Sequence, residues 1–170
     1  LILHVKAYLM QKGEYDPESE QSFAPALCNR IDRNTGGIVI AAKNAAALRT
    51  MNEKIRENQV TKRYLCLVQG IPTPARAMLH AYLKKNSADN MVEVRDTPFP
   101  GAKEIITGYR VLERRGDHAL LEVELVTGRT HQIRAHMAHI GHPLLGDGKY
   151  GINREERRQG YKYQALYAYK

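Results

Sequence analysis

The chain has 170 residues, 43% of them hydrophobic, with 26 Lys plus Arg against 18 Asp plus Glu and a formal net charge of +8. That length suits one domain with a core of its own, while 26% charged residues and no apolar run near the roughly 20 residues that cross a bilayer exclude a helical membrane protein. Only Cys28 and Cys66 are present, too few for a disulfide scaffold and in no metal-ligand spacing, and no secretion signal precedes Lys6; a soluble chain in the reducing cytoplasm is the expectation.

In chain order, Ile2, Val5, Leu9 and Met10 repeat at helical spacing over Leu1 to Lys12, with Gly13 suited to the position just past the end. Glu14 to Pro25 is polar, acidic and reads as a loop. The run Gly37-Ile38-Val39-Ile40-Ala41-Ala42 predicts a buried strand. Asn44 is suited to cap a helix reaching about Asn58, with Ala47, Leu48, Met51 and Ile55 on one face. Lys62 to Gln69 alternates as a strand, ended by Ile71-Pro72-Thr73-Pro74. Met78 to Leu83, Met91 to Arg95, Lys103 to Leu112 and His118 to Val126 predict further strands in an antiparallel meander, the last two joined at Arg115-Gly116-Asp117. Thr130 can cap a helix over His131 to Ile140, which Gly141 and Pro143 stop, and Gly146-Asp147-Gly148 is a tight turn. No repeat or long linker divides the chain, so the expectation is one α+β domain with more strands than helices.

The positive charge is concentrated. Cys28 to Arg76 carries nine positive and three negative residues, and Lys149 to Lys170 six against two, whereas Leu1 to Leu27 has two against four. Two basic blocks point to a polyanionic partner. Arg49, Lys54 and Arg56 also fit the solvated face of a helix.

Three constellations could carry chemistry. Asn29-Arg30-Ile31-Asp32-Arg33-Asn34-Thr35-Gly36-Gly37 sets a carboxylate between two guanidiniums, which favour its charged form as nucleophile or base. The same residues suit a turn in which Asp32 and Asn34 bond their own backbone and the glycines take positive φ. In Gly128-Arg129-Thr130-His131-Gln132-Ile133-Arg134, helix-terminal amides with Arg129 and Thr130 could hold a phosphate, and Arg134 lies about a turn beyond His131. Histidines 131, 136, 139 and 142 lack the i, i+4 pairing with a carboxylate that zinc sites use, so no metal is expected and hydrogen-bonding roles are favoured. In Thr61-Lys62-Arg63-Tyr64-Leu65 the tyrosine suits a half-buried strand position, or base stacking beside basic neighbours. Neither a glycine-rich phosphate loop nor a nucleophile elbow occurs.

Taken in order, the first constellation, then Lys62-Arg63-Tyr64-Leu65-Cys66-Leu67-Val68, then Gly128 to His136, then Gly141-His142-Pro143-Leu144-Leu145-Gly146-Asp147 with Tyr150, the chain resembles the RluA-type pseudouridine synthases from about Leu27 to Gly151. The resemblance implies isomerisation of a uridine within RNA to pseudouridine, without a cofactor, on a mixed, mainly antiparallel sheet flanked by helices, with a central cleft for the target nucleotide. Carried over by position, Asp32 is the catalytic aspartate, Tyr64 the tyrosine stacking on the base, Arg134 the basic residue paired with Asp32, and Arg30 the side chain that fills the gap left by the displaced base. Arg33, Lys62, Arg129, Thr130 and His131 are the further residues expected to hold RNA, ribosomal RNA first and transfer RNA second, with no metal and no protein partner required.

The sequence departs from that family at several points. Ile31 replaces the usual Leu, and Asn29 stands where many members have His, which affects contacts behind the site. The opening Lys-Pro-x-Gly segment is missing and Lys170 falls where another strand is expected, so the catalytic domain is expected to be incomplete at both ends. Two other functions fit part of the pattern: a catalytically silent RNA-binding module, which has no need of a carboxylate among phosphates, and hydrolysis of a nucleoside bond, which usually wants a second carboxylate, here only Asp147.

Overall fold

The computed structural model describes residues 1–20, 22–86, 90–151 and 160–170. The chain divides into two units, Leu1–Ile31 with Ile38–Val60, and Asp32–Gly37 with Thr61–Lys170.

In the first unit, α1 (Ile2–Gln11) buries Leu9 and closes at Lys12, followed by Gly13 at φ 68°. Strand β1 (Ala26–Leu27) pairs antiparallel with β3 (Ala41–Ala42), and the Asn29 Oδ1 accepts the Ile40 amide at 2.8 Å. Helix α2 (Ala45–Arg56) is capped as its sequence predicts, Asn44 Oδ1 accepting the Ala47 amide at 2.8 Å.

The expected buried strand over 37–42 is not a single strand. Its first residue belongs to β2 (Gly36–Gly37), its last two form β3, and Ile38 between them is 49% exposed. The physical reason is Gly37, whose φ of 112° turns the chain and whose missing Cβ lets the backbone approach Ala168, where a Cβ would lie 2.0 Å from the carbonyl oxygen. Apolar composition did not outweigh that glycine.

The second unit is a seven-stranded sheet. Its strands are β2, β4 (Arg63–Gln69), β5 (Arg76–Asn86), β6 (Met91–Arg95), β7 (Lys103–Arg115), β8 (His118–Leu125) and β9 (Leu166–Ala168), in the order β2-β9-β4-β8-β7-β5-β6. All pairs are antiparallel except β2 with β9, a mixed and mainly antiparallel sheet as expected. The simple meander is not observed: β7 lies beside β5, and β6 is left at the edge. Strands β5 and β7 have 11 and 13 residues against five in β6, so pairing the long strands satisfies more backbone groups. The intervening Pro98-Phe99-Pro100-Gly101 cannot make a two-residue hairpin; it turns through Gly101 at φ 79° instead.

Burial alternates along β4, with Tyr64, Cys66 and Val68 on one face opposite Val123, Leu121 and Ala119 of β8. Helix α3 (Gln132–His139) packs on β6 and β7, and its Ala135 joins Ala81, Leu83, Val92 and Ile105 in one apolar cluster. On the opposite face the Glu122 carboxylate accepts from Arg110 Nε at 2.7 Å, Arg63 Nη1 at 3.3 Å and the Tyr169 hydroxyl; the hydrogen bonds from Arg110 and Tyr169 pull it down to about 2.

The start of α3 also corrects an expectation. Thr130 does not cap it: the helix begins after His131, which sits in the left-handed region at φ 54° with no side-chain cap bond. Gln132 supplies the connections instead. Its Oε1 accepts the Arg129 amide (3.0 Å) and the Thr127 hydroxyl (2.9 Å), while its Nε2 donates to the Ile106 carbonyl and to Thr107 Oγ1, each at 3.0 Å. The Gln132 carboxamide accepts two hydrogen bonds at its oxygen and donates two from its nitrogen, whereas a threonine hydroxyl has a single O–H to donate. Gly141, at φ 84°, follows the helix. Among the described residues no helix is long and apolar enough to cross a membrane.

Candidate active site

The second unit brings Asp32 to Arg134 across 102 residues of sequence. The Asp32 loop is a turn as its local pattern suggests: the Thr35 amide donates to the Asp32 carbonyl at 3.0 Å and Asn34 takes φ 68°. Gln164 braces it, its Nε2 donating to the Arg33 carbonyl (2.6 Å) and to Thr35 Oγ1 (3.3 Å). The Asp32 carboxylate bonds not its own turn but Arg134, at 3.5 Å from Nη1. Turn and charged site are therefore the same loop.

Arg134 is 6% exposed and meets two carboxylates in different ways. Its Nε and Nη2 form a fork onto Asp147, 2.7 and 2.8 Å from Oδ2 and Oδ1, and Asp147 has no exposed surface. The Asp147 Oδ1 also accepts the Lys149 and Tyr150 amides at 2.9 and 3.2 Å. Burial pushes the Asp147 carboxyl up, but these bonds and the adjacent guanidinium outweigh it and hold it below the usual range. Burial likewise opposes the charge on Arg134, yet Asp147 and Asp32 together raise it. The contact to Asp32 is at the long limit of a hydrogen bond, and the Asp32 side chain keeps 17% exposure. One arginine thus holds a locked, buried carboxylate on one side and a loosely bound, accessible one on the other.

Tyr150 supports that arginine from below. The guanidinium carbon lies 5.3 Å from its ring centroid, and its hydroxyl accepts the Val92 amide at 3.1 Å and meets His131 Nδ1 at 2.8 Å. Burial lowers the His131 pKa, helped by the Arg134 and Lys149 charges and opposed by Asp32. Tyr64, 8% exposed, has its phenol pushed up by burial and then by the Asp32 charge, so it stays neutral. Lys62 is half-buried against Gly128, 3.5 Å from where a Cβ would stand, and burial lowers its pKa. Arg33 is exposed on the Asp32 loop, Arg129 and Thr130 line a shallow cavity of their own beside β5 and β7, and Arg30 lies in the first unit. The four clustered histidines bond Tyr150, Thr107, Asp96 and the Gln69 carbonyl, as hydrogen-bonding residues.

Residues 4–139 match the sequence profile of the RNA pseudouridylate synthases. The chain belongs to that family. An uncharacterized RNA pseudouridine synthase of Mycoplasma genitalium is 42% identical over 151 residues, 87% of this chain and 46% of the relative. The ribosomal large subunit pseudouridine synthase C of Vibrio cholerae is 40% identical over 75% of this chain and 39% of its own length. The chain therefore spans less than half the length of these relatives. Among solved structures, human RNA pseudouridylate synthase domain containing 1 superposes with a TM-score of 0.74 at 29% identity, over 85% of this chain and 62% of the other.

Two parts of this candidate site lie beyond the matched span. Asp147, read in the sequence as a turn residue, is the buried partner of Arg134, and Tyr150 is its ring support. Gln132 and Gln164 anchor α3 and the Asp32 loop without any local signal in the sequence. A carboxylate between two glycines signals a turn; nothing local signals that an arginine 13 residues earlier folds back onto it.

Proposed function

We propose that the protein is a cytoplasmic RNA pseudouridine synthase that isomerises a uridine in structured RNA, ribosomal RNA of the large subunit first and transfer RNA second, with Asp32 as its catalytic carboxylate. The observation that carries this reading is the division of labour around Arg134. Asp147 is fully buried and committed to four hydrogen bonds, two from Arg134 and two from backbone amides, out of reach of a substrate, whereas Asp32 touches the same arginine at 3.5 Å and keeps access to solvent.

The reaction breaks the bond between uracil N1 and ribose C1′, turns the base, and joins C1′ to C5, which then loses its proton. Asp32 serves either by attacking C1′ or by taking the ribose 2′ hydrogen as a proton. Arg134, fixed by Asp147 and Tyr150, keeps a positive charge beside Asp32 throughout. Tyr64 is neutral and offers a ring face for stacking and a hydroxyl for proton transfer. A stacked base has to leave its helix at a cost of a few kcal/mol, and Arg30 is the side chain assigned to fill the gap. Hydrolysis of a nucleoside bond is disfavoured because Asp147, the second carboxylate it would use, is sequestered.

The test is Asp32→Asn in the full chain, with tritium release from C5 of labelled uridine in RNA as the readout. Release should vanish while RNA affinity stays within a few fold, because a neutral isostere removes the reacting group and no phosphate contact. Substantial residual release, or joint loss of folding and binding, would sink the assignment.

A further inference from the structure

Beside the candidate active site, a cavity of about 280 Å³ is lined by Lys84, Lys85, Lys103, Arg129 and Thr130 over Gly101, with no carboxylate in its wall. Among the described residues none of the four cations has an acidic partner within 4.0 Å, although nearby cations do: Arg95 pairs with Glu93, Arg63 with Glu122 and Glu124, and Arg110 with Glu122. Cations without acidic partners around one concavity raise its positive potential, which favours an anion. Gly101 contributes only backbone, and the Lys84 stem passes 3.3 Å from where a Cβ would stand, so a side chain there would crowd the floor.

The fold connects this cavity to the chemistry. Lys103 pairs with Leu83 in the β5–β7 register and lies an even number of residues from Tyr109, which pairs with Val123 opposite Tyr64; Lys103 and Tyr64 therefore share a sheet face. The remaining wall, Arg129 and Thr130, is followed at once by His131, whose ring meets the tyrosine under Arg134. We infer that this cavity binds a backbone phosphodiester of the substrate RNA, flanking the target nucleotide and setting its register on Asp32 without reading a base. The inference rests on the proposed RNA substrate and names the part of it that this surface grips.

Phosphate contacts position nucleic acid without carrying sequence information, and each one neutralised contributes a slope of roughly 0.7 to 0.9 in log affinity against log salt. The experiment measures anisotropy of a labelled structured RNA with the full chain between 50 and 200 mM salt, for the unaltered protein, for Lys85→Gln/Lys103→Gln, and for Arg49→Gln/Lys54→Gln on α2. The first pair should lower the slope by about 0.7 to 0.9, the share of one phosphate, so that its affinity deficit shrinks about 2.6- to 3.5-fold across that salt range, and the loss should be the same for RNAs of different sequence. The α2 pair should leave the slope unchanged. An unchanged slope in the cavity variant, or equal changes in both variants, would overturn the inference. Tritium release is read separately: no release from the unaltered protein refutes the proposed isomerisation, whereas the salt slope alone decides the phosphate site.

Discussion

The most exacting consequence of the Arg134 geometry concerns stability rather than turnover. Replacing Asp147 by Asn keeps an acceptor for the Lys149 and Tyr150 amides but turns an N–H toward Arg134 Nε, leaving the buried guanidinium with only the long contact to Asp32 as counter-charge. Removing one partner of a buried ion pair costs about 3–5 kcal/mol, and Arg134→Met, which strands the Asp147 carboxylate instead, should cost a similar amount. The double variant Arg134→Met/Asp147→Asn leaves no buried charge; its main penalty is one unpaired amide N–H, about 1–3 kcal/mol. The cycle should therefore show a coupling of at least about 3 kcal/mol. Urea unfolding at pH 7 measures it, each single variant losing roughly 1–3 M or more in midpoint and the double recovering part of that loss. The double variant should still release no tritium, because Asp32 has lost its cation. Single effects that add to within about 0.5 kcal/mol would refute the buried pair as the structural basis of the site.

Other consequences are simpler to read. Tyr64→Phe should keep RNA affinity and lower turnover, since the ring remains and only the neutral hydroxyl is lost; an unaltered rate would remove Tyr64 from proton transfer. Burial holds the His136 pKa down at about 4 against an ordinary 6.5, and its Nδ1 meets Thr107 Oγ1 at 3.0 Å. The folded state therefore resists a proton that the unfolded chain accepts: this contribution is complete above pH 6.5 and is lost as pH falls toward about 4, a change of about 3 kcal/mol that His136→Gln should flatten in urea midpoints taken across that range. Gly37→Ala should cost about 1–3 kcal/mol and reduce turnover with it, because φ 112° is strained for alanine and the added Cβ meets the Ala168 carbonyl where β2 and β9 pair to carry the Asp32 loop. An unchanged Tm in that variant would show that the pairing is dispensable.

The elements legible in the sequence are those whose signal is local. The Asn44 cap, the alternation of Tyr64, Cys66 and Val68, and the glycines after α1 and α3 each depend on residues within a turn or a strand of one another, and each appears where the pattern puts it. The order of the Asp32, Tyr64 and Arg134 segments was likewise enough to suggest the family. What the sequence could not supply was pairing at a distance. The apolar run over 37–42 split because Gly37 must lie against Ala168, and the meander reordered because β7 gains more from the long β5 than from the short β6. Thr130 lost its capping role to Gln132, whose partners lie on β7. Most of all, the sequence singles out Asp32 between Arg30 and Arg33 but gives no sign along the chain that Asp147, read as a turn residue, is the buried partner of the same arginine. That pairing arises only when the fold encloses Asp147 against Arg134 and leaves Asp32 at the edge of solvent, because burial and hydrogen-bond partners, not residue type, decide which carboxylate is locked and which stays accessible.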